Sequence, residues 1–140
     1  MFKLLKWISN ILYSMSMAPK KEVKEILEDL NRLEDVEACL LEMHQPIGRK
    51  IITPEKIKLK NIALWELIKR VTNDLFSVSQ EIYTHGLSKI YFELKDHEII
   101  MYFLSPRTAI IVVIPALANR GLVEVEIESS RRSIMEIMKA

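Results

Sequence analysis

The residues able to do chemistry in this chain of 140 are few and scattered. His44, His85 and His97 fall on different predicted elements with no carboxylate or cysteine at ligand spacing, so they assemble no metal site and read as surface or turn residues. Ser79, Ser105, Ser129 and Ser130 lack both a nucleophile elbow and a paired base; caps and solvent-facing helix positions account for them. Asp74 and Glu81 can share a helical face as an acid and base would, yet two exposed carboxylates on a helix ordinarily do no more than solvate it. No glycine-rich loop precedes a Lys-Ser or Lys-Thr pair, which removes that route to GTP binding. Arg120, Arg131, Arg132 and Lys139 make the last segment basic, which suits a helix C-terminus; an acidic partner, a lipid or a bound nucleotide is the alternative target. The expectation is a protein without catalytic residues, cofactor or metal.

Scaffold features are far more pronounced. Ala109, Ile110, Ile111, Val112, Val113 and Ile114 form an apolar run with no polar face, which requires a strand in the middle of a sheet covered on both sides. Residues 87–94, 97–104 and 107–114 read as three strands whose connections, Lys95-Asp96 and Ser105-Pro106, are short enough to force antiparallel hairpins. Ile90, Phe92 and Leu94 alternate with Tyr91, Glu93 and Lys95, whereas residues 99–104 do not alternate, so the first of these strands belongs nearer an edge.

Ahead of the meander, residues 61–84 predict a long helix capped by Asn61 and ended by Gly86. Its apolar residues exceed one stripe. Trp65, Ile68, Leu75 and Ile82 mark one line, and Leu64, Leu67, Val71 and Val78 extend the apolar surface beyond what one sheet face can bury. Earlier still, residues 20–33 carry Val23, Ile26, Leu27, Leu30 and Leu33 at helical spacing, and residues 36–43 and 47–53 flank a Pro and Gly turn as a hairpin. Residues 122–128 alternate with strand period, but Val123, Ile127, Ile134 and Ile137 continue along a helical face; helix is the expectation, entered by a turn at Asn119, Arg120 and Gly121.

With 49% apolar residues the chain is sized for one domain with a substantial core. A net charge of +1 offers no bulk attraction to nucleic acid. The lone Cys39 excludes a disulfide framework and fits a reducing cytoplasm.

Residues 1–18 stand apart as an amphipathic extension, with the domain at residues 19–140. Phe2, Leu4, Leu5, Ile8, Ile11, Leu12 and Met15 recur at helical spacing beside Lys3 and Lys6, in a segment too short and too polar to span a bilayer. Docking on the domain or a partner is preferred. Peripheral membrane contact through Phe2, Leu5, Trp7 and Ile8 is the rival.

The order helix, hairpin, long helix, three-strand meander, helix resembles the Roadblock family, also called the dynein light-chain Roadblock or LC-seven family. The resemblance covers residues 20–139: Leu27-Glu28-Asp29-Leu30 leading to Val36-Glu37-Ala38-Cys39-Leu40-Leu41 resembles its first helix and strand, and Gly48 and Gly86 fall where it has glycines. Asn119-Arg120-Gly121-Leu122-Val123 resembles its turn into the last helix, while His44-Gln45-Pro46-Ile47 stands where the family often has an acidic residue. The resemblance implies an α/β sandwich, an α+β fold with profilin- or longin-like layering: a five-stranded antiparallel sheet, the long helix on one face and two helices on the other. It also implies a non-enzymatic homodimer, or a heterodimer with a paralogous chain, that serves as adaptor or regulator of a small Ras-like GTPase. The seam it implies, through the third strand and long helix, agrees with the surplus apolar surface at Leu64, Leu67, Ile68, Val71, Leu75, Val78, Ile90, Tyr91 and Phe92. Rival functions are a small-molecule sensing or enzyme-accessory domain, which requires a polar-lined cavity, and a membrane-tethered scaffold.

Overall fold

A computed structural model describes residues 3–6, 8, 22–45 and 48–139. The expected hairpin tip at Pro46 and Ile47, and Phe2, Trp7 and most of the amphipathic extension, lie outside the described residues. The elements are α1 (Val23–Asn31), β1 (Ala38–Gln45), β2 (Gly48–Ile52), α2 (Ile62–Tyr83), β3 (Lys89–Glu93), β4 (His97–Ser105), β5 (Thr108–Pro115) and α3 (Arg120–Lys139). They follow the order expected from sequence.

The five strands make one antiparallel sheet in the order β2-β1-β5-β4-β3. The apolar run therefore lies at its centre, buried from Thr108 to Ile114. Alternation divides β5 between two cores. Ile110, Val112 and Ile114 join Cys39, Leu41, Ile100 and Tyr102 beneath α1 and α3, which contribute Leu27, Leu30, Val123, Ile127 and Ile134. Ala109, Ile111 and Val113 join Ala38, Leu40, Met101 and Phe103 beneath α2, which contributes Trp65, Ile68 and Phe76. Register reinforces the division: Ile111 sits between Leu40 and Met101, and Ile110 between Leu41 and Tyr102. Strands β2 and β3 form the edges, as expected for the alternating Ile90-to-Lys95 segment.

Two local expectations change. Asn119 is the N-cap of α3, its side-chain Oδ1 accepting from the Leu122 N–H at 3.2 Å, and Gly121 lies inside the first helical turn without a left-handed φ. The chain reverses earlier, where the Ala118 N–H donates to the Pro115 carbonyl at 3.0 Å. On α2, the line facing the sheet is Trp65, Ile68, Thr72, Phe76 and Ser79, whereas Ile82 is exposed and Leu75 half-buried. Ser79 is thus buried instead of solvent-facing. Both hydroxyls tolerate burial because they donate to their own helix: Thr72 Oγ1 to the Ile68 carbonyl at 2.9 Å and Ser79 Oγ to the Phe76 carbonyl at 3.4 Å. The ends of α2 match expectation. Asn61 Oδ1 accepts from the Leu64 N–H at 3.0 Å, and Gly86, just past the helix, adopts φ +95°.

Polar contacts fasten α3 to the meander. Tyr102 OH donates to Glu128 Oε2 at 2.6 Å, and Arg131 donates to both Glu128 oxygens at 2.8 and 3.0 Å while its guanidinium lies 5.7 Å from the Tyr102 ring centre. The Arg131 hydrogen bonds, followed by that of Tyr102, bring the Glu128 carboxyl down from 4.5 to about 2. A carboxyl depressed in the folded state stabilises fully above its ordinary value and loses that contribution as pH falls through its folded one. The thermal midpoint, followed by circular dichroism, therefore drops between pH 4.5 and about 2, and this drop is shallower in Glu128→Gln; equal slopes in the two proteins would show that Glu128 does not couple folding to protons.

Candidate functional site

Helix α2 covers the sheet with one stripe and exposes a second. Leu64, Leu67, Val71, Leu75, Val78 and Ile82 recur at spacings of three and four, so they line a single flank of the helix beside its sheet-facing stripe. Leu64 and Leu75 are half-buried against the core, while Leu67 (43%), Val71, Val78 (66%) and Ile82 keep large exposed fractions. The opposite flank carries Glu66, Arg70, Asn73, Asp74, Ser77 and Glu81. An apolar flank of this length is costly to leave in water and is more than isolated exposed side chains explain.

The apolar flank leans toward the β3 edge. Between the two lies an open groove of about 190 Å³ lined by Leu64, Leu67, Ile68, Val71, Thr72, Phe92, Leu94 and Ile99, with no polar atom contributing to its accessible wall. Along β3, Ile90 and Phe92 face α2 and are half-buried, while Leu94, just beyond the strand, is exposed. The other side of β3 has no neighbour in the sheet, so its free backbone N–H and C=O groups run alongside the apolar stripe.

Of the residues named from sequence, Leu64, Leu67, Val71, Phe92 and Ile68 converge on this groove, with Ile68 as its buried floor. Leu75 and Val78 continue the flank past it. Tyr91 points to the other face, where its hydroxyl donates to Glu124 and the Arg120 guanidinium stands 4.9 Å from its ring centre. It borders the edge from the α3 side. Leu94 and Ile99 were not among the predicted seam residues; the alternation of Leu94 with Phe92, and the short hairpin that sets Ile99 opposite Phe92, were the available signals.

A polar cluster that sequence reasoning missed lies across α2 from the groove. Glu42, in the middle of β1, is fully buried and accepts a hydrogen bond from Arg49 Nε, and Arg49 also donates to the Lys69 carbonyl of α2. His44, two residues along the same strand face, stacks on Phe76 at 4.1 Å with Nε2 3.6 Å from Glu42 Oε1. The alternation Glu42, His44 with Arg49 across the hairpin was the sequence signal for it. The pairing ties β2 to α2, and truncating Arg49 strands the fully buried Glu42 carboxyl beneath the helix.

The remaining candidates are placed apart. His85 is an exposed turn residue, and His97 Nε2 lies 2.9 Å from Glu37 Oε2 at one end of the sheet. Cys39 donates to the Leu27 carbonyl at 3.4 Å inside the core, and burial pushes its thiol up to about 12, far from a reactive thiolate. Among the described residues, no group of three His, Cys, Asp or Glu side chains is placed to hold a metal ion, and no helix is long and apolar enough to cross a membrane. The arrangement suits shape recognition through an apolar flank and a strand edge.

Known structures share this architecture. A Roadblock/LC7 domain from Streptomyces avermitilis superposes with a TM-score of 0.63 at 10% identity, over 86% of this chain and 100% of that one. MglB from Myxococcus xanthus gives 0.59 at 13%, over 84% and 87%. An MglB with tetrameric arrangement gives 0.60 at 14%, over 86% and 90%. Identities this low speak for the fold, which is that of Roadblock/LC7 domains. No curated protein matches the chain by sequence. The model of one family does match, over residues 20–128, and the chain with its doubly covered sheet and half-bare long helix belongs to the AF0774-like protein family.

Proposed function

We propose that two copies of this chain, or one copy and a paralogous chain of the same fold, pair through the apolar flank of α2 and the edge of β3, and that the dimer serves as a non-enzymatic adaptor or regulator of a small Ras-like GTPase. The observation that carries the pairing is contiguity. Leu67 and Val71 of the exposed stripe line the same groove as Phe92 and Leu94 at the free edge of β3, and Val78 and Ile82 continue the stripe past it. A two-fold axis beside β3 would extend the sheet from one copy into the next and lay the two α2 flanks together, satisfying strand edge and apolar surface at once. Fully burying one Leu or Val side chain contributes about 1.5–3 kcal/mol against an association cost of roughly 4–15 kcal/mol, so the whole stripe and the strand must engage together. The tetrameric arrangement of an MglB of this fold supports self-association. The GTPase part rests on the likeness to Roadblock domains and on the lack of any phosphate-cradling loop in this chain, which makes the nucleotide a partner's cargo.

Two outcomes follow. Leu67→Asp with Val71→Asp places two charges at solvent-exposed positions of one copy, so the protein keeps its circular dichroism spectrum and falls to monomer mass by light scattering; a persistent dimer would move the seam elsewhere. Titrated by calorimetry against the small Ras-like GTPases of its own organism, each loaded with GDP or a non-hydrolysable GTP analogue, the dimer binds at least one, and the monomeric variant binds it on the order of tenfold more weakly. Silence against all of them in both nucleotide states would retire the GTPase as partner.

A further inference from the structure

We infer that the segment ahead of α1 attaches the protein to an anionic membrane surface. The described part of that segment, residues 3–6 and 8, is helical, and its apolar side chains are in water: Leu5 is 62% and Ile8 40% exposed, with Leu4 similarly bare. A helix docked on its own domain would bury these residues. In a helix, Leu4, Leu5 and Ile8 share a face, and the sequence repeats the same spacing at Ile11, Leu12 and Met15, while Lys3, Lys6, Asn10 and Ser14 fall opposite. Phe2, Trp7 and Tyr13 accompany the pattern, aromatic residues of the kind that favour the boundary between headgroups and acyl chains.

Charge points to an anionic lipid surface as the occupant of that face, since two such segments, each with lysines and no carboxylate, would repel one another. Four of the 20 basic residues, Lys3, Lys6, Lys20 and Lys21, and none of the 19 acidic ones lie in residues 1–21, which leaves residues 22–140 with three more negative than positive charges. A basic amphipathic segment in front of an acidic domain combines the two attractions that hold a helix at a membrane surface: an apolar face to insert, and cations beside anionic headgroups. The domain's own negative charge would keep its body off such a surface while leaving the α2 flank and β3 edge free. The inference stands independently of the dimer and of the GTPase.

Flotation of the full chain tests it, with vesicles of phosphatidylglycerol and phosphatidylcholine in equal parts beside vesicles of phosphatidylcholine alone. The protein rises with the anionic vesicles only, and raising salt from about 0.05 M to about 0.5 M strips it off as the screening length shrinks. Leu5→Asp with Ile8→Asp, at exposed positions that the domain does not use, abolishes flotation with the circular dichroism spectrum unchanged. Lys3→Glu with Lys6→Glu weakens it on the order of tenfold or more. The proposal is overturned if the parent chain stays with the soluble fraction, or if both variants float as the parent does. It is equally overturned if the Asp variant changes the mass seen by light scattering without vesicles and the parent binds none, since the face would then serve another protein copy.

Discussion

Strand β5 cannot present a polar face, and the rest of the fold is arranged around that constraint. Seven consecutive residues, Thr108 to Ile114, are buried, and their side chains alternate between two layers that must both be dry. A helix on one face alone would leave half of the run in water. Covering both faces requires a long helix on one side and a pair on the other, and it requires a strand on either flank to satisfy the β5 backbone; β1 and β4 fill those places. The central position of β5 then sends β2 and β3 to the edges, and β3 comes to lie beside the apolar flank of α2.

The two covering layers are not equivalent. Helices α1 and α3 meet their face with buried apolar stripes, and α3 is further fastened by the Tyr102, Glu128 and Arg131 contacts. Opposite them, α2 works alone across five strands. Its sheet-facing line includes Thr72 and Ser79, which need no external partner because their hydroxyls donate to carbonyls of the same helix. The aliphatic residues Leu67, Val71, Val78 and Ile82 fall beside the sheet and not on it, while Trp65, Ile68 and Phe76 supply the apolar contact of the sheet-facing line. The helix thus carries two apolar stripes where one suffices to cover the sheet, and the second stays exposed.

The two flanks of α2 also differ in kind. Toward β2 lies the buried Glu42, bridged to the helix by Arg49 and next to the stacked His44, an anchor that holds one edge of the sheet shut against α2. Toward β3 there is only the open apolar groove. The helix is thus fixed on one side and available on the other, which points any association to the β3 side. Charge follows a similar division along the chain, with the cationic, acid-free residues 1–21 ahead of a domain whose net charge is negative.

Periodicity and run length are local properties, and they were enough to establish the order of elements, the central place of the Ala109 to Ile114 strand, the edge character of the Ile90 to Leu94 segment, the Asn61 cap and the surplus of apolar surface on the long helix. The helical fate of Leu122 to Glu128 was legible only because Ile134 and Ile137 continue the pattern past the ambiguous alternation. Tertiary structure decided the rest. Which of two neighbouring stripes of α2 turns inward depends on the side chains opposite it: the sheet accepts Thr72, Phe76 and Ser79, and this pushes Ile82 to solvent. That Glu42 and His44 sit beneath α2 with Arg49 follows from the register of β1 in the sheet and from which face of the sheet α2 covers. No spacing along a single element encodes that register, because a one-residue slip would send each of those side chains to the other face.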